Sequence, residues 1–485
     1  MGGIWGFGVT ALIQQGTWRP GPPFDDACGR RGGNRVFAQI SRLAAEVPPT
    51  ADFAGVDRLY AQTGELARAH PGTAVVRRIG TSRLGEPLWC LTVQGGPEQV
   101  VVVAAVHPNE PVGGLSSVRL ARVLLADAGL REELGCTWHI VPCIDPDGTR
   151  LNEPWFTGPM TLESYGRSFY RPAPDEQVEW SFPLSYQGIF FDRVLPETVA
   201  LMRLIDETKP MLLCSLHNGE YGGVFYYLSR TTRALDAQLA ALPVGLGLPL
   251  HTGEAEAPFI EQIAPAVFRN FTAEQELDFM LELGLDPARR TAGASSGAYA
   301  ARYGTAYLAT EVPYWADARA DDHAPIEMSY ATVLAKRGEC AHGTVDRLSG
   351  ILGSVRAELT VRTPFLRATE AFLPYLADAA EADLARAERP GTERPAVVAE
   401  RFHSISGVQS ARIRLGGMLL RALAAEIAVG HGTPAVRAGH GRLTETYAGW
   451  LAEAEMPQPI PLAKLAGVQL GAILSTAVAI RYAAR

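Results

Sequence analysis

Four side chains in this 485-residue sequence are of the types that a hydrolytic metal centre needs: His107, Glu110, His217 and Glu311. Zinc hydrolases hold their metal with three ligands drawn from His and Glu or Asp. The fourth position is left for a water, whose pKa the metal lowers to about 7. His107, Glu110 and His217 supply such a set, for one zinc ion per chain, and a mixed His and carboxylate set is compatible with zinc. A carboxylate beside the metal can take a proton from that water and pass it to a leaving amine, and Glu311 is the candidate. Spacing alone does not select these residues. His-x-x-Glu occurs three times, at His107 with Glu110, His217 with Glu220 and His251 with Glu254.

Context selects among them. Positions 100–106 form an unbroken apolar, β-branched run suited to a central parallel strand, and Pro111 suits the first turn of a helix. Val112, Leu115, Val118, Leu120 and Leu124 then recur at roughly helical spacing, so one helix face can lie on the sheet. His107 and Glu110 therefore fall at the carboxyl end of a strand, where open α/β sheets bind their ligands. The segment MLLCSLHNGEYGG repeats the arrangement with His217, and a strand over 306–310 is expected to end at Glu311. A parallel sheet would bring these three strand ends to one rim. His251 and Glu254 lie in a Gly, Ala and Pro-rich stretch and are expected to be a solvated loop, whereas Glu220 stays open as an alternate ligand.

The rest of the chain reads as globular. Hydrophobic residues make up 47% and charged residues 20%, and the length implies two or three units. A net charge of -8 argues against general affinity for nucleic acid or an anionic membrane, leaving small molecules or peptides as partners. Residues 1–35 are a Gly, Pro and Arg-rich arm. Helices are expected over 36–46 and 52–70, a hairpin over AVVRRIG, TSRLGEP and LWCLTV, and strands over 136–145 and 224–228. A helix is expected over 195–208. The aromatic and proline-rich stretch 149–191 is too long for a passive connection and is expected to be a functional loop carrying Arg150, Arg167 and Arg171.

From about 341 the composition turns to Ala, Leu, Arg and Glu with helical periodicity. This gives an arm and first helix (1–45), a catalytic domain (46–340) and a helical region (341–485). The apolar run 465–480, 16 residues long, is shorter than a usual membrane span and is expected to be a buried or amphipathic helix. The N-terminal segment lacks a basic n-region, so a cytoplasmic location without membrane attachment is expected. The six scattered cysteines suit buried free thiols. Among the other histidines, His139 is expected in the core, and His431 and His440 in a glycine-rich surface loop. His70, His323, His342 and His403 have no partner at ligand spacing. Catalysis by a serine nucleophile is not expected.

The order of segments resembles the zinc metallocarboxypeptidases related to carboxypeptidase A. The matching segments are IGTSRLGEPLWCLTV, VVVVAAVHPNEP, IVPCIDPDG, ETVALMRLIDETKPMLLCSLHNGEYGG and ASSGAYAARYGTAYLATEV, covering roughly residues 50–335. The resemblance implies a mixed, largely parallel α/β sheet flanked by helices. It makes His107, Glu110 and His217 the zinc ligands, a set known in carboxypeptidase A, and Glu311 the general base and acid. It also implies an arginine at the oxyanion, with Arg171 and Arg167 in the matching region and Arg150 a further candidate. The alternative for Arg167 and Arg171 is pairing with Asp175, Glu176 and Glu179.

Asn218 and Tyr221 beside His217, and Ser295 and Ser296 before Glu311, are expected to line the substrate. Where the family carries an Asn-Arg pair that grips a terminal carboxylate, this chain reads QVEWSFP. The expectation is a zinc-dependent amide hydrolase acting on a specialised intracellular substrate, a peptide or an N-acyl amino acid. An N-acyl amino acid deacylase of the aspartoacylase-like branch and a non-catalytic metal-binding scaffold are the alternatives.

Overall fold

The computed structural model describes residues 31–253, 255–257, 259–282, 286–287, 292–455 and 458–483. Its centre is a mixed sheet with strand order Ala74–Thr81, Pro87–Val93, Cys136–Val141, Glu98–Ala104, Leu212–Tyr221, Ala306–Ala316, Phe225–Leu228, Val267–Arg269 and Gln262–Ala264. The short Gln458–Pro459 strand pairs with Ala306–Ala316. The four strands from Cys136–Val141 to Ala306–Ala316 run parallel, so their carboxyl ends share one rim. The first hairpin is antiparallel, as its alternating sequence requires.

Both faces of the parallel strands are covered, which explains why 100–106 is apolar without alternation. Val100, Val102 and Ala104 pack into a core shared with helices Val112–Ala126 and Leu462–Ala483. Val101 and Val103 pack into a second core with helix Pro196–Thr208. In the central strand Leu212, Cys214 and Leu216 face the first core, while Leu213 faces the second, as do Tyr307 and Ala309 of the neighbouring strand. Side chains alternate between faces along a strand, so His217 and Glu311 share the face of the second core.

Several elements differ from expectation. The first helix runs over Arg31–Ala45 and the second over Val56–Ala69. The strands holding His217 and Glu311 continue to Tyr221 and Ala316, so both residues lie within strands rather than at their ends. Stretch 149–191 is no open loop. It holds helices Pro146–Asn152 and Leu162–Ser168 and a hairpin of Leu184–Tyr186 with Ile189–Phe191, and its Trp155, Tyr165, Phe169, Arg171 and Trp180 are buried. Large aromatic side chains at closed positions, rather than mobility, account for its composition. The glycine-rich stretch around His440 is part of helix Pro434–Glu453, because it follows the Thr433 cap and a first-turn proline.

Helices Tyr330–Val355, Pro364–Ala387, Val398–Ala428 and Pro434–Glu453 pack beside one another, and their apolar faces are continuous with the first core. Helix Leu462–Ala483 lies on the sheet instead. By length and composition it could cross a membrane, but 83% of its most apolar stretch is buried inside the molecule. Cys90, Cys136, Cys143 and Cys214 are buried free thiols and Cys340 is an exposed one, while Cys28 lies outside the described residues.

Candidate metal centre

The Glu98–Ala104 strand leaves the sheet through Ala105, whose φ of 56° is left-handed. That conformation costs an L-residue of this size about 1 kcal/mol or more, and it redirects the chain so that His107 and Glu110 turn back over the rim. The next helix begins against the strands. A Cβ on Gly113 would stand 2.9 Å from that of Leu216 and 3.0 Å from that of Ala104, so glycine allows the close approach.

His107, Glu110 and His217 are each wholly buried, and one donor atom from each lies within 4.8 Å of the others. His217 Nδ1 is 3.0 Å from Glu110 Oε2, and its Nε2 is 2.8 Å from Ser215 Oγ. Glu311 stands beside His217 in register on the next strand, with Oε1 4.0 Å from His217 Nδ1. Both ring nitrogens of His107 are buried without a hydrogen-bond partner among the described residues. An imidazole left in that state costs about 1–3 kcal/mol unless something binds it. A metal ion would use one lone pair, so the donor set fits zinc. Ser215 would be the partner that fixes the His217 ring for a metal ion.

Electrostatics favour metal-binding protonation states. Burial, helped by Arg171 and by His217, holds the His107 ring well below the usual histidine range, and burial takes His217 down to about 4. Both rings are therefore neutral near pH 7. Burial alone would raise Glu110, but the bond to His217 and the Arg171 charge outweigh it and keep the carboxyl ionised.

Of the three candidate arginines, the structure brings only Arg171 to this centre. It is buried, its Nη1 donates to Glu110 Oε1 at 2.9 Å, and its Nη2 has no hydrogen-bond partner among the described residues. Arg167 pairs with Glu163 and lies over the Tyr447 ring, while Arg150 pairs with Asp57 and Glu86. Asp175 and Glu176 are taken by Arg193 and Arg367. Glu220 accepts from Tyr165 and Arg414, on the opposite face from His217, which removes it as an alternate ligand.

The expected substrate residues divide. Tyr221 lines a cavity beside the rim and packs on Trp315. Asn218 is part of the frame, accepting from Val112 N and donating to Val312 O. Ser295 caps helix Ser296–Ala300, and Ser296 Oγ donates to Glu179. Residues 293–297 read Gly-Ala-Ser-Ser-Gly, the Gly-x-Ser-x-Gly spacing of a serine nucleophile turn. Among the described residues neither hydroxyl bonds a histidine, so nothing there activates a serine nucleophile.

Glu179 occupies the stretch where a carboxylate-gripping Asn-Arg pair was sought. It is buried and accepts from Ser296 and Tyr307. Burial outweighs these bonds and pushes its carboxyl up to about 7. A folded-state value above the unfolded value of about 4.3 gives stability that is full below that pH and is lost as pH rises through 7. Glu179→Gln cannot titrate, so its stability relative to the wild type should rise by up to about 3 kcal/mol from pH 4 to pH 8. Urea unfolding at the two pH values checks this, and a pH-independent difference would refute it.

One residue of the frame had no sequence signal. Gln469 is wholly buried in the apolar helix Leu462–Ala483, where it accepts from Ser116 Oγ at 2.6 Å and donates to His217 O at 2.9 Å. The Glu98–Ala104 strand pairs with the His217 strand only as far as Leu216, so Gln469 supplies the bond at the next residue. Gln469→Leu would leave the carbonyl and the hydroxyl unpaired. We expect zinc affinity to fall about 10–100-fold, the usual cost of losing an outer-shell partner, with the fold retained. Competition with a fluorescent chelator reads this, and unchanged affinity would make Gln469 a packing residue only.

Residues 59–241 match the family model described as zinc carboxypeptidase. Solved structures similar to this chain include a metallo-carboxypeptidase from Burkholderia cenocepacia, at 17% identity and a TM-score of 0.34, covering 54% of this chain and 60% of that one. Carboxypeptidase A from Helicoverpa armigera is similar at 14% identity and a TM-score of 0.37, covering 74% and 82%. Bovine thrombin-activatable fibrinolysis inhibitor is similar at 10% identity and a TM-score of 0.34, covering 73% and 98%. No curated protein matches the chain.

Proposed function

We propose that this chain, whose residues 59–241 match the zinc carboxypeptidase family model, hydrolyses an amide bond in a small, specialised substrate, with Glu311 as general base and acid. The observation that carries the reading is the meeting of His107, Glu110 and His217 at one rim, with Glu311 beside His217 on the adjacent strand. Zinc held by the three ligands would supply Lewis acidity toward a carbonyl oxygen and lower the pKa of a water molecule. Glu311 takes the proton released as that water attacks and delivers it to the leaving nitrogen, which must be protonated before it departs. Arg171 is positioned by Glu110, and its Nη2 can donate to the oxygen that becomes negative. The wholly buried setting excludes bulk water, which strengthens each of these interactions.

A second reading on the same chemistry is an N-acyl amino acid deacylase or amidase; of these Glu179 favours the amidase, because an N-acyl amino acid carries the same free carboxylate as a peptide C-terminus. A carboxyl group in place of an Asn-Arg pair offers no grip for a terminal carboxylate. The test is a mass-spectrometric screen of peptides and N-acyl amino acids with free and amidated C-termini, with and without chelator. Chelator-sensitive cleavage supports a zinc hydrolase, and indifference to the C-terminal carboxylate selects the amidase. No cleavage of any member would return the chain to a metal-binding scaffold.

A further inference from the structure

A cavity of about 190 Å³ lies between the sheet rim and the helices that follow Tyr330. Its floor includes Gly219 and Tyr221 from the His217 strand, and Phe225, which pairs in register with Glu311. Its walls include Glu256, His251, His403 and the ion pairs Arg414–Glu220 and Arg337–Asp383. An engineered apolar cavity of about 150 Å³ accepts benzene, so this space suits one side-chain-sized group rather than a protein tail.

The lining chemistry is lopsided. Both guanidinium groups are matched by a carboxylate, and Glu400 is matched by Arg394. Glu256 is the exception. Among the described residues its carboxylate has one hydrogen bond, from the Tyr227 hydroxyl at 2.8 Å to Oε2, and no cation pairs with it. Burial holds the Glu256 carboxyl above its usual range, against the Tyr227 bond and the Arg171 charge, and a cation seated beside it would favour its ionised form. His403 presents an acceptor on the same lining: Nε2 is 3.1 Å from Ala320 O and must carry the hydrogen, leaving Nδ1 a lone pair. Burial and the neighbouring His251 take that ring down to about 3, so it stays neutral. The His251 and His403 rings are 5.1 Å apart. A cavity that offers a carboxylate and a neutral imidazole acceptor, with its own cations already used, is suited to a group with positive charge and several N–H donors.

We propose that this cavity binds an aliphatic ammonium group of the substrate, with Glu256 as its counter-ion, so that the amide presented to the metal centre belongs to an amine-bearing small molecule. The proposal rests on the hydrolase reading for its link to catalysis, but the ammonium site can be tested without turnover. The probes are n-butylamine and 1-butanol, equal in size and different in charge at pH 7, titrated against the full chain by ligand-observed NMR. Binding of the amine at least 10-fold tighter than the alcohol is expected, with that preference lost in Glu256→Gln and largely kept in Glu256→Asp. Equal affinities in the wild type, or a preference that survives in a folded Glu256→Gln, would overturn the site.

Turnover separates the two claims. Hydrolysis of neutral and amine-bearing amides at equal kcat/KM would refute the assignment of substrate class while sparing the hydrolase. Amine binding without hydrolysis of any amide would refute the hydrolase while sparing the ammonium site.

Discussion

Purified His217→Ala is expected to lose its zinc. The side chain supplies one of three candidate ligands, and its replacement leaves only His107 and Glu110 to hold the ion. Loss of an outer partner costs about 10–100-fold in affinity, so loss of a ligand should cost more, and occupancy after dialysis should fall from about one per chain to near zero. His107→Ala should behave alike. His251→Ala should keep its metal, because that ring lines the neighbouring cavity instead. Elemental analysis after dialysis against a weak chelator reads all three. Stoichiometric zinc in His217→Ala would remove the ligand set from consideration and the proposed chemistry with it.

Glu311→Gln should have the opposite profile, with zinc retained and hydrolysis lost. The substitution keeps the size of the side chain at a wholly buried position in the Ala306–Ala316 strand but removes its capacity to accept a proton. General acid–base catalysis contributes typically 10²–10⁴-fold, so kcat should fall by about that factor on any substrate the wild type cleaves. A variant that keeps more than a tenth of wild-type kcat at full zinc occupancy would mean that the proton is carried elsewhere.

The parallel core of the fold was legible because strands buried on both faces leave a recognisable trace. Positions 100–106, 136–141 and 212–216 are nearly continuous apolar runs, and each is followed by turn residues or a helix pattern. The meeting of His107, Glu110 and His217 was legible for the same reason. His107 and His217 interrupt or directly follow such runs, where an uncompensated polar side chain would be costly. Where strand and site merge, the reading fell short. Neither Glu311 nor His217 ends its strand, because Val312 to Trp315 and Asn218 to Tyr221 continue the pairing with polar and aromatic residues that resemble a turn in sequence.

Stretch 149–191 misled in the other direction. Proline, glycine and aromatic residues signal irregular backbone, and the backbone is irregular, but the aromatic rings close against one another and against Tyr314 and Trp315. Periodicity says nothing of such closure. His251 was expected in a solvated loop, His403 was given no partner and Glu256 carried no signal, because their neighbours come from distant segments and no local spacing announces a cavity formed by elements about 150 residues apart.

The bond from Gln469 to Ser116 spans 353 residues of chain, and that from Gln469 to His217 spans 252. At roughly 5–20 residues per second, a ribosome needs about 13–50 s after making His217 to reach Gln469. During that interval the three ligands already exist, and the sheet that carries them can pair, but the brace on the His217 carbonyl does not. The brace on the His217 carbonyl is thus the last part of this frame to be made, after all three candidate ligands.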